Sequence, residues 1–151
     1  MFDKHDFLTG LNVLVVDDVA FSLHLVSGML REMGSEEVVA ANGGVDALKV
    51  LQSVQGREID LVVLDLNMPG IDGMTILRMI REGQTEAART VPVAILSGSS
   101  EECLVRAAFA LGIDAYVTKP VSKAVLGARL AKAAGHRQES RASARMPVRA
   151  A

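Results

Sequence analysis

With 151 residues, half of them hydrophobic, 23% charged and only 3% aromatic, the chain suits one domain built around an aliphatic core. Its single cysteine, Cys103, excludes an internal disulfide framework and a cysteine-built zinc site. The net charge of −2 argues against nucleic acid as the main partner, the charged opening MFDKHDFLTG is no secretion signal, and no run nears the ~18 apolar residues of a membrane span, so a cytoplasmic protein away from membranes is expected.

Along the chain, short apolar runs alternate with helical periods. Leu11–Val16 reads as a first strand, followed by Val26, Met29, Leu30 and Met33 at helical spacing. Glu37–Ala40 reads as a second strand, followed by Ala47, Val50, Leu51 and Val54. Ile59–Leu64 precedes Gly73, Ile76, Leu77 and Ile80; Val91–Leu96 precedes Leu104, Ala107, Ala108 and Leu111. Ile113–Val117 precedes a weaker pattern, Leu126, Leu130 and Ala133. A glycine follows each helical period (Gly34, Gly56, Gly83, Gly112, Gly135) and predicts a helix stop. Ser99 with Glu102 reads as a capping box at the start of the fourth helix.

Strands such as LNVLVV and VPVAIL are apolar without alternation, which suits a parallel sheet covered on both faces. The fold class expected is α/β, a five-stranded parallel, doubly wound sheet of (βα)5 type. The chain divides into an N-terminal extension (1–10), one domain (11–135) and a tail (136–151). Four arginines (Arg137, Arg141, Arg145, Arg149) against Glu139 give the tail a net +3, leaving −5 for residues 1–135. The tail is expected to be solvated; docking to an acidic partner through arginines spaced by four is the functional alternative.

Ligands of such sheets bind outside the carboxyl ends of the strands. There stand Asp17-Asp18, Asp65, Ser97 and Lys119, after the first, third, fourth and fifth strands. Clustered carboxylates repel one another and call for a cation; oxygen donors around an open site suit magnesium (Mg²⁺). A carboxylate is also a nucleophile for phosphoryl groups, and phosphoryl transfer needs mainly positioning and charge neutralisation. Taken singly, Asp17-Asp18 could cap a helix, Lys119 could be a surface charge and Tyr116 edge packing. His5, His24 and His136 read as solvated surface, and Cys103 as an unactivated helix residue.

The segments VLVVDD (13–18), LVVLDLNMPGIDG (61–73), VPVAILSGSS (91–100) and AYVTKP (115–120) resemble the receiver domain of two-component response regulators, of the chemotaxis-regulator type. The likeness covers roughly residues 10–134 and implies the flavodoxin-like receiver fold. It implies that Asp65 takes a phosphoryl group from a histidine kinase or a histidine phosphotransfer protein. It implies Mg²⁺ held by Asp17, Asp18, Asp65 and the Asn67 carbonyl. Lys119 would contact the phosphoryl group and Ser97 would move toward it. Tyr116 would be the switch aromatic, Asn67 and Ser99 would tune phosphate lifetime, and the Lys119–Pro120 bond would be cis. Residues 101–134 would dock a downstream target. A stand-alone receiver without an output or DNA-binding domain is expected, regulatory rather than enzymatic beyond its own phosphorylation and dephosphorylation. Two alternatives are a receiver-fold interaction module working without phosphate and an aspartyl-phosphate phosphatase; the second would need an acid where Asn67 stands.

Overall fold

Successive residues of a strand point to opposite faces of a sheet, so an unbroken apolar strand feeds two cores at once. Both cores are present in the computed structural model, which describes residues 7–145 and the side chains of residues 7–135. The elements are β1 (Asn12–Val16), α1 (Ala20–Glu32), β2 (Glu37–Ala41), α2 (Gly44–Leu51), a 3-10 turn (Val54–Glu58), β3 (Leu61–Leu64), α3 (Gly73–Arg81), β4 (Val93–Ser97), α4 (Glu102–Ala110), β5 (Ala115–Thr118) and α5 (Lys123–Arg145). The five strands form one parallel sheet in the order β2-β1-β3-β4-β5.

On one face Leu14, Val16, Val62, Leu64, Val93 and Ile95 pack against α2, α3 and α4 through Leu51, Ile76, Leu77, Ile80 and Ala108. On the other, Val13, Val15, Leu61, Val63 and Leu96 pack against Val26 and Leu30 of α1 and Leu126 and Leu130 of α5. The strand order reverses between β1 and β3, which puts their carboxyl ends at the topological switch point. The expected fold class is therefore the one observed, with β2 starting at Glu37 as expected and the other four strands starting one or two residues later than the apolar runs. No helix among the described residues is long and apolar enough to cross a membrane.

Three local expectations are corrected. Gly34, Gly83 and Gly112 follow α1, α3 and α4 with left-handed φ of 91°, 75° and 85°, as helix ends require. Gly56 instead lies inside the 3-10 turn, where a Cβ would stand 2.3 Å from the Leu51 carbonyl oxygen; it is a packing glycine. Gly135 does not stop α5, which continues to Arg145 through a run of good helix formers that outweighs a single glycine at about 1 kcal/mol. Ser99 builds no capping box: α4 begins at Glu102 with no side-chain cap, and the Ser99 hydroxyl accepts instead from the Glu101 N–H.

The boundary drawn at residue 10 also cuts through packed chain. Leu8 is buried, its N–H donates to the Met33 carbonyl at 3.0 Å, and Thr9 bridges Ser35. The tail's boundary at 135 falls within α5; its arginine side chains, the His136 side chain, His5 and residues 146–151 lie outside what is described. His24 and Cys103 are exposed, on α1 and α4.

Candidate functional site

The strand ladder itself carries the two buried acids into place. The Asp17 N–H donates to the Ala41 carbonyl at 3.2 Å, and the Asp65 N–H to the Val16 carbonyl at 3.0 Å. Each carboxylate then folds back on its own loop. Asp17 Oδ1 accepts from the Val19 N–H at 2.9 Å, and Asp65 Oδ1 accepts from the Asn67 N–H at 3.1 Å. In both residues this leaves Oδ2 free to turn inward, and Lys119 Nζ meets the pair, 2.6 Å from Asp17 and 3.2 Å from Asp65. Asp18 is exposed beside them, and the three acids bring carboxylate oxygens within 4.8 Å of one another. Asp17 and Asp18 do not cap α1, whose N-cap is Val19 without a side-chain bond.

Lys119 is aimed by its own backbone: its N–H donates to the Ser97 carbonyl at 2.8 Å, and its peptide to Pro120 is cis. Ser97, fully buried, accepts at its Oγ from the Ser99 N–H (3.2 Å) and from Asn67 Nδ2 (3.4 Å). The half-buried Tyr116 donates its hydroxyl to the Ser99 carbonyl at 2.6 Å. Hydrogen bonds thus run from Asp65 through Asn67, Ser97 and Ser99 to Tyr116. Gly98 faces open space. All eight residues singled out in the sequence (Asp17, Asp18, Asp65, Asn67, Ser97, Ser99, Tyr116, Lys119) stand in this one region.

The electrostatics differ between the two buried acids. Burial pushes Asp65 above the usual carboxylate range and the Asp17 charge adds to it; the Asn67 N–H and Lys119 offset this only partly. Asp17 also suffers burial, yet hydrogen bonds from Lys119, Ser22 and Val19 outweigh it and hold the carboxyl below its usual value. Burial opposes the charge on Lys119 too, but its hydrogen bond to Asp17 and the charges of both acids raise its pKa. Three carboxylates against one ammonium leave an excess of negative charge. Such oxygen donors fit a hard divalent cation.

One feature escaped the sequence reading. Val19, Phe21 and Leu25, at the N-cap and in the first turns of α1 just after the acid pair, are exposed apolar residues, Phe21 being 77% exposed. The available signal was register: Phe21 and Leu25 fall outside the α1 stripe of Val26, Met29, Leu30 and Met33.

Comparison with known proteins bears on this arrangement. Residues 13–131 match the family model described as the response regulator receiver domain. The chain is 30% identical over 123 residues to the chemotaxis protein CheY-3 of Vibrio cholerae, covering 82% of this chain and 91% of that protein. It is 30% identical over 122 residues to the chemotaxis protein CheY of Pseudomonas aeruginosa, covering 81% and 94%. Among solved structures, a receiver domain protein from Clostridium thermocellum superposes with a TM-score of 0.74 at 26% identity, over 86% of this chain and 98% of that one. A chain of the CheX–CheY–BeF3–Mg complex of Borrelia burgdorferi gives 0.72 at 27% identity, over 82% and 89%. Fold, strand-end site and matched residues agree, and the chain belongs to the response regulator receiver domain family.

Proposed function

We propose that this receiver accepts a phosphoryl group on Asp65 and passes on the change in conformation as a signal. The observation that carries the reading is the meeting of Asp17, Asp65 and Lys119 at the switch point, with Asp18 alongside. A carboxylate oxygen of Asp65 attacks the phosphorus of a phosphohistidine; the O–P bond forms, the P–N bond breaks, and the imidazole leaves. Lys119 balances the charge on the phosphoryl oxygens, and the open space at Gly98 lets them in. Asp17, Asp18, Asp65 and the Asn67 carbonyl would hold Mg²⁺, which supplies further positive charge and orients the phosphoryl group when bound.

The signal follows from the hydrogen-bond run already described. A phosphoryl oxygen accepts from the Ser97 O–H and draws that hydroxyl toward Asp65, away from the Asn67 and Ser99 donors whose hydrogen bonds its oxygen now accepts. Moving that segment carries the Ser99 carbonyl and with it the partner of Tyr116. Phosphorylation drives the change only as far as it binds one arrangement better than the other. The face at residues 101–134 presents this to a downstream target, and the exposed Val19, Phe21 and Leu25 seat the donor, a histidine kinase or phosphotransfer protein. The chain is a regulator that catalyses its own phosphorylation and dephosphorylation. Asn67 and Ser99, at the edge of the site, set the phosphate lifetime.

The test is intact-protein mass after exposure to acetyl phosphate, with Mg²⁺ or with chelator, on wild type and Asp65→Asn. An adduct that needs both Mg²⁺ and Asp65 is the expected result. An adduct on Asp65→Asn, or wild type that neither takes phosphate nor binds beryllofluoride, overturns the reading.

A further inference from the structure

The loop that carries Asp65, residues 65–73, is closed in by two glycines that each begin a helix. Gly73 opens α3 and Gly44 opens α2, and both are buried. A Cβ on Gly73 would stand 2.2 Å from the Asp65 carbonyl oxygen and 2.8 Å from Leu66 Cα. A Cβ on Gly44 would stand 2.3 Å from the Ile71 carbonyl oxygen and 2.7 Å from Ile71 Cβ. The obstacles are mostly backbone, which cannot swing aside as the end of a long side chain can. Neither glycine is among those with left-handed φ, so both are required for space and not for conformation. By contrast, Gly28 in the middle of α1 has nothing within 4 Å.

The two contacts grip the loop at different points. Gly73 presses on the residue that bears the acceptor carboxylate, and its N–H donates to the Leu66 carbonyl at 3.1 Å, closing the loop on itself. Gly44 presses on Ile71, on a helix that supplies no side chain to the site. Between these points lie Asn67 and the Met68-Pro69-Gly70 turn. Relieving an approach of 2.3 Å to an ordinary contact near 3.4 Å moves the loop by about 1 Å, and displacements of that size at a reacting centre cost up to about 100-fold in rate.

We infer that Gly44 and Gly73 are positioning residues for phosphoacceptance: the side chains they lack set where the Asp65 carboxylate and the Asn67 carbonyl stand relative to Asp17 and Lys119. The inference rests on Asp65 as the acceptor.

The experiment compares Gly44→Ala and Gly73→Ala with Gly28→Ala as control, each also made in the Gly28→Ala background, which favours the folded helix. Three quantities are read on folded protein: the Mg²⁺ affinity of unphosphorylated protein by calorimetry, the labelling rate with acetyl phosphate, and the melting temperature. The expected result for Gly44→Ala is labelling slowed roughly 10- to 100-fold and weakened Mg²⁺ binding, while Gly28→Ala keeps both at wild-type values. Wild-type Mg²⁺ affinity and labelling in folded Gly44→Ala, even with a lower melting temperature, overturns the inference and leaves the glycines as packing alone. A Gly44→Ala protein that cannot be kept folded in either background assigns the residue to the fold instead, and overturns it as well. Should wild type itself take no phosphoryl group, the reading of Asp65 fails, while the Mg²⁺ affinities still test the glycines.

Discussion

Lys119 Nζ stands 2.6 Å from Asp17 Oδ2, closer than its 3.2 Å to Asp65, although Asp17 lies 102 positions earlier in the chain. The lysine thus spends its best bond on the acid proposed to hold metal. The acceptor carboxylate is left less well neutralised, and that inequality sets how the two acids should respond to substitution.

Asp65→Asn should abolish the phosphoryl adduct and also stabilise the metal-free protein, with a raised melting temperature at neutral pH. The sign comes from linkage. A carboxyl whose folded pKa lies above its unfolded one costs stability at neutral pH, and the cost fades as pH falls through the folded pKa. Thermal melts at pH 7 and pH 4 check this: the variant's advantage should shrink on acidification. A variant less stable than wild type at pH 7 would contradict it.

Lys119→Met removes the ammonium and leaves two buried acids facing each other, so it should destabilise the protein at neutral pH and stop labelling. The folded pKa of Lys119 is raised above its ordinary value of 10.5. Its contribution is therefore fully present below that value and is lost as pH rises through the folded pKa. Chemical denaturation from pH 8 to pH 12 should show the gap between wild type and variant closing only at the alkaline end.

Arg81 makes a test of the scaffold away from the site. Its guanidinium donates to the carbonyls of Val91 (2.7 Å), Arg89 (2.8 Å), Gly112 (2.8 Å) and Leu111 (3.2 Å), tying the end of α3 to the approach to β4 and the end of α4. Arg81→Ala strands these acceptors and should cost about 2 kcal/mol, or about 4–8 °C in melting temperature. Mg²⁺ affinity should hold. A change of less than 1 °C would show the carbonyls are equally well served by water.

Tyr116→Phe keeps the ring and deletes the bond to the Ser99 carbonyl. Labelling with acetyl phosphate should proceed within about twofold of wild type, since the hydroxyl touches neither acid. Hydrogen exchange of residues 98–110 should lose its response to beryllofluoride. An unchanged response would remove Tyr116 from the proposed switch.

The fold was legible because unbroken apolar strands followed by amphipathic helices admit few arrangements other than a covered parallel sheet. The grouping of Asp17, Asp18, Asp65, Ser97 and Lys119 was legible because four of the five strands end in a residue with chemistry; Asn67, Ser99 and Tyr116 were legible only through the family resemblance. What escaped depended on contacts between distant segments. Gly44 and Ile71 are 27 positions apart, and nothing in either neighbourhood announces that their backbones touch. Gly135 misled because a glycine ends a helix only where its own φ turns left-handed, and the ten residues after it carry α5 onward to Arg145. Ser99 satisfied a capping pattern while its backbone was already committed to Ser97 and Tyr116.

The hydrogen bond from Tyr116 to Ser99 has a practical side. The chain has no tryptophan and one tyrosine, so all of its tyrosine fluorescence, and its near-ultraviolet dichroism to the long-wavelength side of the phenylalanine bands, comes from the ring at this hinge. No label or engineered reporter is needed to watch it. A spectrum recorded while acetyl phosphate, beryllofluoride or Mg²⁺ is added tracks the surroundings of that one phenol, and the signal-bearing segment carries its own optical gauge.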